Sequence, residues 1–444
     1  MLKRGKWKIC VVGLGRIGLP HACILAASGF NVIGVDTNPK VIRMVGNGKE
    51  PFSEPGLRRL LRKSVKSGKL KVTGNLKEAT SKSEVVIIIV PTLVDKNGPD
   101  YSSLKKACGD IGRGLKKGSL VILSSTIGPG ITETVVKDIL EDMSGLMAGD
   151  EFGLAHGPIR ASSGRIIRNL KKYPRIIAGI DERSLETASD IVSIISGNNV
   201  IKMGNIKSAE ATKIFENVYR DVNIALANEL ASFCEKAGLN YHEISEAARS
   251  QPFCHLHQPG IVGGKCIPTN PYFLIDQARK IGADLSLVKL GRRINEQTAT
   301  YVLDIMVDAL TKCGKSLQNS RVLILGASFK ANVKEDGYSP AKMLVRLLKK
   351  KRIGVKVWDP FFTSAELRKM GYDTPRALDK GLGEADCIII ATGHDKFKQL
   401  KKKILRKLNK RGKYAIVDCS GHHIFDPDDS TKNVVCLSLG VGKS

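Results

Sequence analysis

The segment Lys8–Asp36, KICVVGLGRIGLPHACILAASGFNVIGVD, decides the fold. Lys8 to Val12 is an apolar strand that runs straight into Gly13-Leu14-Gly15-Arg16-Ile17-Gly18. A helical stretch, Leu19 to Ser28, follows, then a second strand, Asn31 to Val35, and then Asp36. Strand, glycine turn, helix, strand and acid is the order of a dinucleotide-binding unit. Gly13 permits the tight turn, Gly15 lets the backbone meet a pyrophosphate, and Gly18 lets helix and strand pack, while the helix N-terminus faces the phosphates. The turn, with Arg16 and Ile17 between its glycines, is therefore the expected cofactor-binding element. Asp36 ends the second strand where a carboxylate can take ribose hydroxyls and would repel a 2′-phosphate, which favours NAD over NADP.

Working outward, strand-like segments recur at Val85 to Val90 and Leu120 to Leu123 with helical stretches between them, as a parallel doubly wound sheet requires. Pro91-Thr92 and Ser124-Ser125-Thr126 follow at the carboxyl ends of those strands, where ligands of such sheets bind. Thr92 and Thr126 are candidate cofactor contacts, although a helix N-cap would account for Thr126 equally well. Ser208 to Ala231 predicts a long helix on which Glu210, Lys213, Asn217 and Arg220 share one stripe. Phe215, Val218, Ile224, Ala225 and Leu226 crowd its other faces, predicting a mostly buried helix whose polar stripe faces a site or a subunit contact. Beyond it, Arg321 to Leu325, Val355 to Trp358, Cys387 to Ala391 and Tyr414 to Val417 read as strands, with helical stretches such as Ala341 to Lys351 between. This second domain has no GxGxxG, so a second dinucleotide is not expected. The fold class is α/β, with two doubly wound Rossmann-like domains joined by a long central helix and a helical linker. The expected limits are 1–200, 201–313 and 314–444.

Composition bounds the function. The chain has 444 residues, 42% hydrophobic and 26% charged, a globular composition long enough for several domains. Its formal net charge is +28. The densest basic run, Lys396 to Lys413, is interleaved with Leu and Ile at helical spacing and offers only Phe397 for base stacking. It reads as a solvated helix face, so no nucleic acid is expected, while the basic field suits a small dianionic substrate. Apolar runs such as Val85 to Val90 are far short of a bilayer span, so no membrane partner is expected and the cytoplasm is the expected location. Ten cysteines are scattered without a CxxC pair or regular spacing, which argues against a disulfide framework and a zinc ribbon. His156, His255, His257, His394, His422 and His423 show no metal-ligand spacing, and no metal is assigned.

One cysteine stands apart. Gln258 to Leu274, QPGIVGGKCIPTNPYFL, sets Cys266 after Gly263, Gly264 and Lys265 and before Pro268 and Pro271. The glycines expose main-chain N–H groups to a ligand and the prolines fix the chain beyond the sulfur. A buried filler cysteine needs neither.

VVGLGRIGLP, GVDTNPKVI, PFSEPGL at Pro51 to Leu57, VPT at Val90 to Thr92 and the GGKC segment together resemble the nucleotide-sugar 6-dehydrogenases, the family of UDP-glucose, GDP-mannose and UDP-N-acetylmannosamine dehydrogenases. The similarity covers nearly the whole chain and is strongest to the N-acetylhexosamine branch. The resemblance implies a homodimer that uses NAD to oxidise C6 of a UDP-N-acetylhexosamine twice. Cys266 would trap the aldehyde as a thiohemiacetal and then carry the thioester. By the same resemblance Lys213 and Asn217 contact the sugar hydroxyls and the attacking water, Thr126 joins the catalytic set, and Arg160, Gly263, Phe329 and Lys330 line the substrate side. From the residues alone, a thiolate divides a difficult aldehyde oxidation into two easier steps, and Lys213 is a suitable oxyanion partner.

The chain departs from the family's pattern at three places. The Pro-Glu-Arg segment is Pro158-Ile159-Arg160, the aspartate four residues beyond the cysteine is Asn270, and the arginine three residues before Pro340 is Gly337. Asp418-Cys419-Ser420-Gly421 also replaces an arginine and asparagine. Isoleucine transfers no proton and asparagine is no base near neutral pH. Two readings follow: a dehydrogenase, or an impaired or silent binder of nucleotide sugar and NAD. The thiol, for which a pure binder has no evident need, favours the enzyme.

Overall fold

The computed structural model describes residues 7–95, 98–197, 199–409 and 412–442. The chain packs as two units, Met1–Glu216 with Tyr272–Asp284, and Asn217–Pro271 with Leu285–Ser444.

The first unit is built on an eight-stranded sheet in the order β10-β9-β8-β7-β4-β1-β2-β3. Its strands are β1 (Lys8–Val12), β2 (Asn31–Val35), β3 (Leu70–Thr73), β4 (Val85–Ile88), β7 (Leu120–Leu123), β8 (Gly153–His156), β9 (Arg175–Gly179) and β10 (Val200–Lys202). A small hairpin of β5 (Leu93–Asp95) and β6 (Gly98–Asp100) stands outside it. β1 pairs in parallel with β2 on one side, Lys8 opposite Asn31, and with β4 on the other, Val12 opposite Ile88. The strand order reverses between β1 and β4, so the glycine turn leaves the sheet at the crevice such a reversal opens. The Gly18–Ala27 helix follows the turn, with Leu19, Ala22, Cys23 and Leu25 buried in the same core as Ile9 and Val11.

The strands expected from sequence pair in parallel, and one pairing elsewhere in the sheet does not. β8 and β9 are antiparallel, Ala155 opposite Gly179 and His156 opposite Ala178. The intervening Ile166–Lys172 helix has only 7 residues, about 10 Å of rise, and the chain starts β9 beyond the end at which β8 finishes.

The second unit carries a five-stranded, all-parallel sheet in the order β12-β11-β13-β14-β15. Its strands are β11 (Arg321–Leu325), β12 (Gly354–Trp358), β13 (Cys387–Ile390), β14 (Tyr414–Asp418) and β15 (Val434–Ser438). Side chains alternate between faces with a period of two. Val322, Ile324, Cys387, Ile389, Ala415 and Val417 enter one core with the Ser286–Lys312 and Pro340–Lys350 helices. Leu323, Leu325, Ile388, Ile390 and Ile416 enter the other with Phe397, Ile404 and Leu408 of the Asp395–Leu408 helix. Burial on both faces explains why these strands read as unbroken apolar runs. The basic run is thus an amphipathic helix over Asp395–Leu408, with Lys403 and Lys407 paired to Asp379; of the expected run to Lys413, Lys410 and Arg411 lie outside the described residues.

The predicted long helix extends over Ile206–Ala237. The expectation of a mostly buried helix is corrected at Phe215 and Leu226, which are exposed; on the expected polar stripe Glu210 and Asn217 are buried and Arg220 is exposed, and Asp221 and Asn228 are buried as well. Three of the buried polar residues have partners inside: Glu210 accepts backbone N–H groups, Asn228 bonds Gly260 and Asn295, and Asp221 pairs with Arg292 at 2.5 Å. No described helix is long and apolar enough to cross a membrane.

Candidate active site

In the first unit the glycine turn has the shape a dinucleotide needs. Gly13 has φ +93°, and a Cβ there would stand 2.3 Å from the Ile89 carbonyl oxygen. A Cβ on Gly18 would stand 1.8 Å from the Gly13 oxygen, so the turn closes only over a bare α-carbon. Gly15 is exposed with nothing within 4 Å of its Cβ position, leaving its backbone open to a ligand. Asp36 ends β2 with its carboxylate oriented by the Leu14 N–H at 2.9 Å and the Asn38 N–H at 2.8 Å. The Arg16 guanidinium lies 5.3 Å from the Phe52 ring, and Ile17 packs against the core. An open backbone beside a fixed carboxylate fits the pyrophosphate and ribose of a dinucleotide.

The loops after β4 and β7 are tied together. Thr92 Oγ1 donates to the Thr126 carbonyl at 2.6 Å, and Ser125 Oγ both accepts from the Val90 N–H and donates to the Val90 carbonyl. No helix starts at Thr126; the next begins at Thr132, so the N-cap account of Thr126 falls away. The end of this loop rests on Glu210, whose carboxyl oxygens accept the N–H groups of Gly130 and, at 2.8 Å, Thr132. Burial pushes the Glu210 carboxyl up to about 7 against the pull of those donors. The Tyr101 hydroxyl adds an acceptor for the Gly128 N–H at 3.0 Å.

Three other positions singled out from sequence, Ile159, Arg160 and Lys213, lie in this unit, and Asn217 opens the second. Ile159 is buried in the apolar core and brings no polar group. Arg160 bonds Glu216 at 2.9 Å and the Pro174 carbonyl at 2.5 Å, so its guanidinium already has partners. Lys213 is half-buried on the long helix, and Asn217 follows one turn later on the same helical face and is buried.

In the second unit the thiol loop is seated on the loop after β11. Gly263 lies so close to Tyr338 and Pro340 that a Cβ would be 3.0 Å from each. Gly264, at φ +90°, lies under the Phe329 ring, 2.9 Å from where its Cβ would be, and donates its N–H to the Tyr338 carbonyl at 3.2 Å. The glycines, read from sequence as open to ligand, therefore also admit the neighbouring loop. Cys266 follows and is the one exposed cysteine of the ten, eight of which are buried. Burial pushes the Cys10, Cys23 and Cys108 thiols up to about 12, which keeps them protonated and inert. The Cys266 carbonyl accepts the Asn270 N–H at 2.8 Å where the Asn270–Lys280 helix starts, and the Asn270 side chain is buried. Above Gly337 runs the stem of Lys265, its Cε 3.0 Å from where a Cβ would be. Lys330 lies half-buried on the same loop as Phe329.

Sequence reasoning passed over Tyr101 and Asp359, weighed His394 only as a metal ligand, and placed Glu210 on its stripe without a role of its own. Among the described residues no cluster of His, Cys, Asp and Glu is arranged to hold a metal ion.

Known proteins share this fold and domain order. Residues 7–195 match the UDP-glucose/GDP-mannose dehydrogenase family, NAD binding domain, residues 207–297 its central domain, and residues 323–426 its UDP binding domain. The UDP-N-acetyl-D-mannosamine dehydrogenase of Pyrococcus horikoshii is 36% identical over 395 residues, 88% of this chain and 91% of that one. The UDP-N-acetyl-D-glucosamine 6-dehydrogenase of Pseudomonas aeruginosa is 33% identical, over 95% of this chain and 98% of that one. The solved UDP-D-ManNAc dehydrogenase structure from Pyrococcus horikoshii superposes with a TM-score of 0.90 at 33% identity, covering 98% of this chain and 100% of that one.

Proposed function

The chain belongs to the UDP-glucose/GDP-mannose dehydrogenase family and is an NAD-dependent nucleotide-sugar dehydrogenase, and we propose that it oxidises C6 of a UDP-N-acetylhexosamine, foremost UDP-N-acetylmannosamine, to the uronate through Cys266. The observation that carries this reading is the singular exposure of Cys266 among ten cysteines, on a loop formed by glycines. NAD, bound by the glycine turn, Asp36, Thr92 and Thr126, supplies the hydride acceptor.

The C6 alcohol loses a hydride and a proton to become an aldehyde. The Cys266 sulfur adds to the carbonyl carbon, and the displaced electron pair resides on oxygen as an alkoxide that a lysine ammonium, in our assignment Lys213, stabilises. Loss of a second hydride leaves a thioester. Water then adds, the carbon–sulfur bond breaks, the thiolate departs and the carboxylic acid is released. Asn217 holds a sugar hydroxyl or the water, and Phe329, Lys330 and Gly263 serve the nucleotide side. The segments 1–200, 201–313 and 314–444 take the cofactor, the thiol and the uridine diphosphate respectively.

Hydrolysis is the step this chain's residues support least. A general base contributes ~10²- to 10⁴-fold, and neither buried Ile159 nor the Asn270 amide can act as one. A second reading, in which the reaction stalls as a thioester, has that observation in its favour. We further propose a cytoplasmic homodimer: all ten thiols are free, which suits a reducing compartment, and Tyr219, Leu226 and Phe233 expose an apolar stripe on the long helix.

The test is purified protein with NAD and UDP-N-acetylmannosamine or its gluco epimer, counting NADH per sugar and weighing the intact protein afterwards. Two NADH per sugar with free uronate is the expected result. A burst that stops, leaving an adduct absent from Cys266→Ser, establishes the stalled thioester. Saturable binding of both ligands without NADH overturns the oxidation.

A further inference from the structure

His394 joins two parts of the second unit that the sequence keeps far apart. It lies just beyond β13, fully buried between the rings of Phe361 and Phe397, with centroids 4.9 and 5.5 Å away. Its Nδ1 is 2.9 Å from the backbone nitrogen of Asn332. A backbone N–H only donates, so Nδ1 must accept, and the ring proton sits on Nε2. Nε2 then donates to Asp359 Oδ2 at 3.1 Å, a carboxylate 1% exposed at the end of β12. The same Asp359 oxygen accepts the Ala327 N–H at 2.6 Å, and its other oxygen accepts the Phe361 N–H at 2.7 Å. Burial alone would raise the Asp359 carboxyl; the donors from His394, Phe361 and Ala327 outweigh it and hold the group below its ordinary range.

The loop from Ala327 to Ser339 is therefore gripped at its start by Asp359 and in its middle by His394. Asn332 sits at φ +59°, a left-handed conformation that asparagine tolerates better than other non-glycine residues and that the contacts to His394 and Asp395 fix here. Its side chain is held too, Nδ2 donating to Asp395 at 2.7 Å and Oδ1 accepting the Asp395 N–H at 3.1 Å. On either side of Asn332 the same loop supplies the Phe329 ring and the Tyr338 carbonyl on which Gly264 and Gly263 are seated, two and three residues before the exposed thiol.

We propose that His394 is a positioning residue for this enzyme: bridging Asp359 and the Asn332 N–H, it holds the Ala327–Ser339 loop in the form that seats Gly263 and Gly264 and so places Cys266. The inference rests on the reading of Cys266 as nucleophile, and its test includes measurements that need no turnover. His394→Phe keeps the ring and removes both hydrogen bonds. His394→Asn keeps an acceptor near the Nδ1 position, and His394→Gln keeps only a donor toward Asp359.

In the full-length protein, amide exchange at Asn332 is expected to quicken about tenfold in His394→Phe, the factor that one net hydrogen bond sets, and to stay near wild type in His394→Asn. Iodoacetamide labelling of Cys266, read by peptide mass, should quicken with it by about threefold or more. KM for the nucleotide sugar should rise while KM for NAD holds, a split that general destabilisation would not produce. Should His394→Phe fail to fold, His394→Gln carries the same expectations. Wild-type exchange at Asn332 and wild-type labelling in His394→Phe or His394→Gln would overturn the proposal, as would a His394→Asn no better than they are. If no UDP-sugar is oxidised by the wild type, the reading of the reaction fails, yet the exchange and labelling rates still decide whether His394 positions the thiol loop.

Discussion

Replacing Glu210 by glutamine isolates the electrostatics of the loop that carries Thr126. Glu210 is 1% exposed, and its carboxyl faces the N–H groups of Gly130 and Thr132. Loss of water disfavours the ionised form more than the two donors favour it, which lifts the carboxyl from 4.5 to about 7. The difference, 7 − 4.5 = 2.5, is worth about 3 kcal/mol. Between those values the folded protein keeps a proton that the unfolded chain has released, so stability falls as pH rises through the window and levels off above about 7. Glutamine does not titrate, and like the protonated carboxyl it offers one good acceptor to two donors. Wild type and Glu210→Gln should therefore unfold alike at pH ~4.5, and the variant should be the more stable by about 3 kcal/mol at pH ~8. Urea unfolding of both proteins across that range, plotted as their difference, measures it directly. A difference that is flat, or that turns against the variant as pH rises, would refute the reasoning and show that the two N–H groups keep Glu210 ionised.

The glycine turn separates two effects: Gly18→Ala must displace the Gly13 carbonyl and should lose about 1–3 kcal/mol of stability, whereas Gly15→Ala meets nothing and should unfold within about 0.5 kcal/mol of wild type yet bind NAD more weakly by calorimetry. Arg292→Met strands the buried Asp221 carboxylate and should cost about 3–5 kcal/mol in chemical unfolding, most of it recovered in the Asp221→Leu, Arg292→Met double variant. Phe233→Asp places a charge on the exposed apolar stripe of the long helix, and sedimentation should show a wild-type dimer and a dissociated variant; an unchanged mass would exclude this face as the subunit contact.

Much of the scaffold was legible because its signals are local. β1, β2, β7 and β11 coincide with their expected limits, since an apolar run between turn residues and a change of period from two to 3.6 can be read a few residues at a time. The Lys8–Asp36 unit was legible for a stronger reason: close approach of backbone to backbone excludes a Cβ, so the glycines are a record of geometry. Cys266 could be singled out by its glycines and prolines, but not by its exposure, which required the other thiols to be placed.

What holds the polar groups of the long helix and what His394 does were not legible, and the cause is the same for both. A stripe of Glu210, Asn217 and Asp221 carries no mark of inside or outside, because what buries it is a set of donors elsewhere: the amides of Gly130 and Thr132, and Arg292. Likewise Asn332, Asp359 and His394 are an ordinary asparagine, aspartate and histidine until β12 and β13 are set on either side of β11. The sequence by itself determined the α/β layering and the glycine turn, and it singled out the cysteine proposed here as nucleophile, all properties of neighbours along the chain. Only the tertiary structure decided which polar groups are buried and what each one holds, because the free energy of a buried polar group depends on partners that the chain delivers from far away.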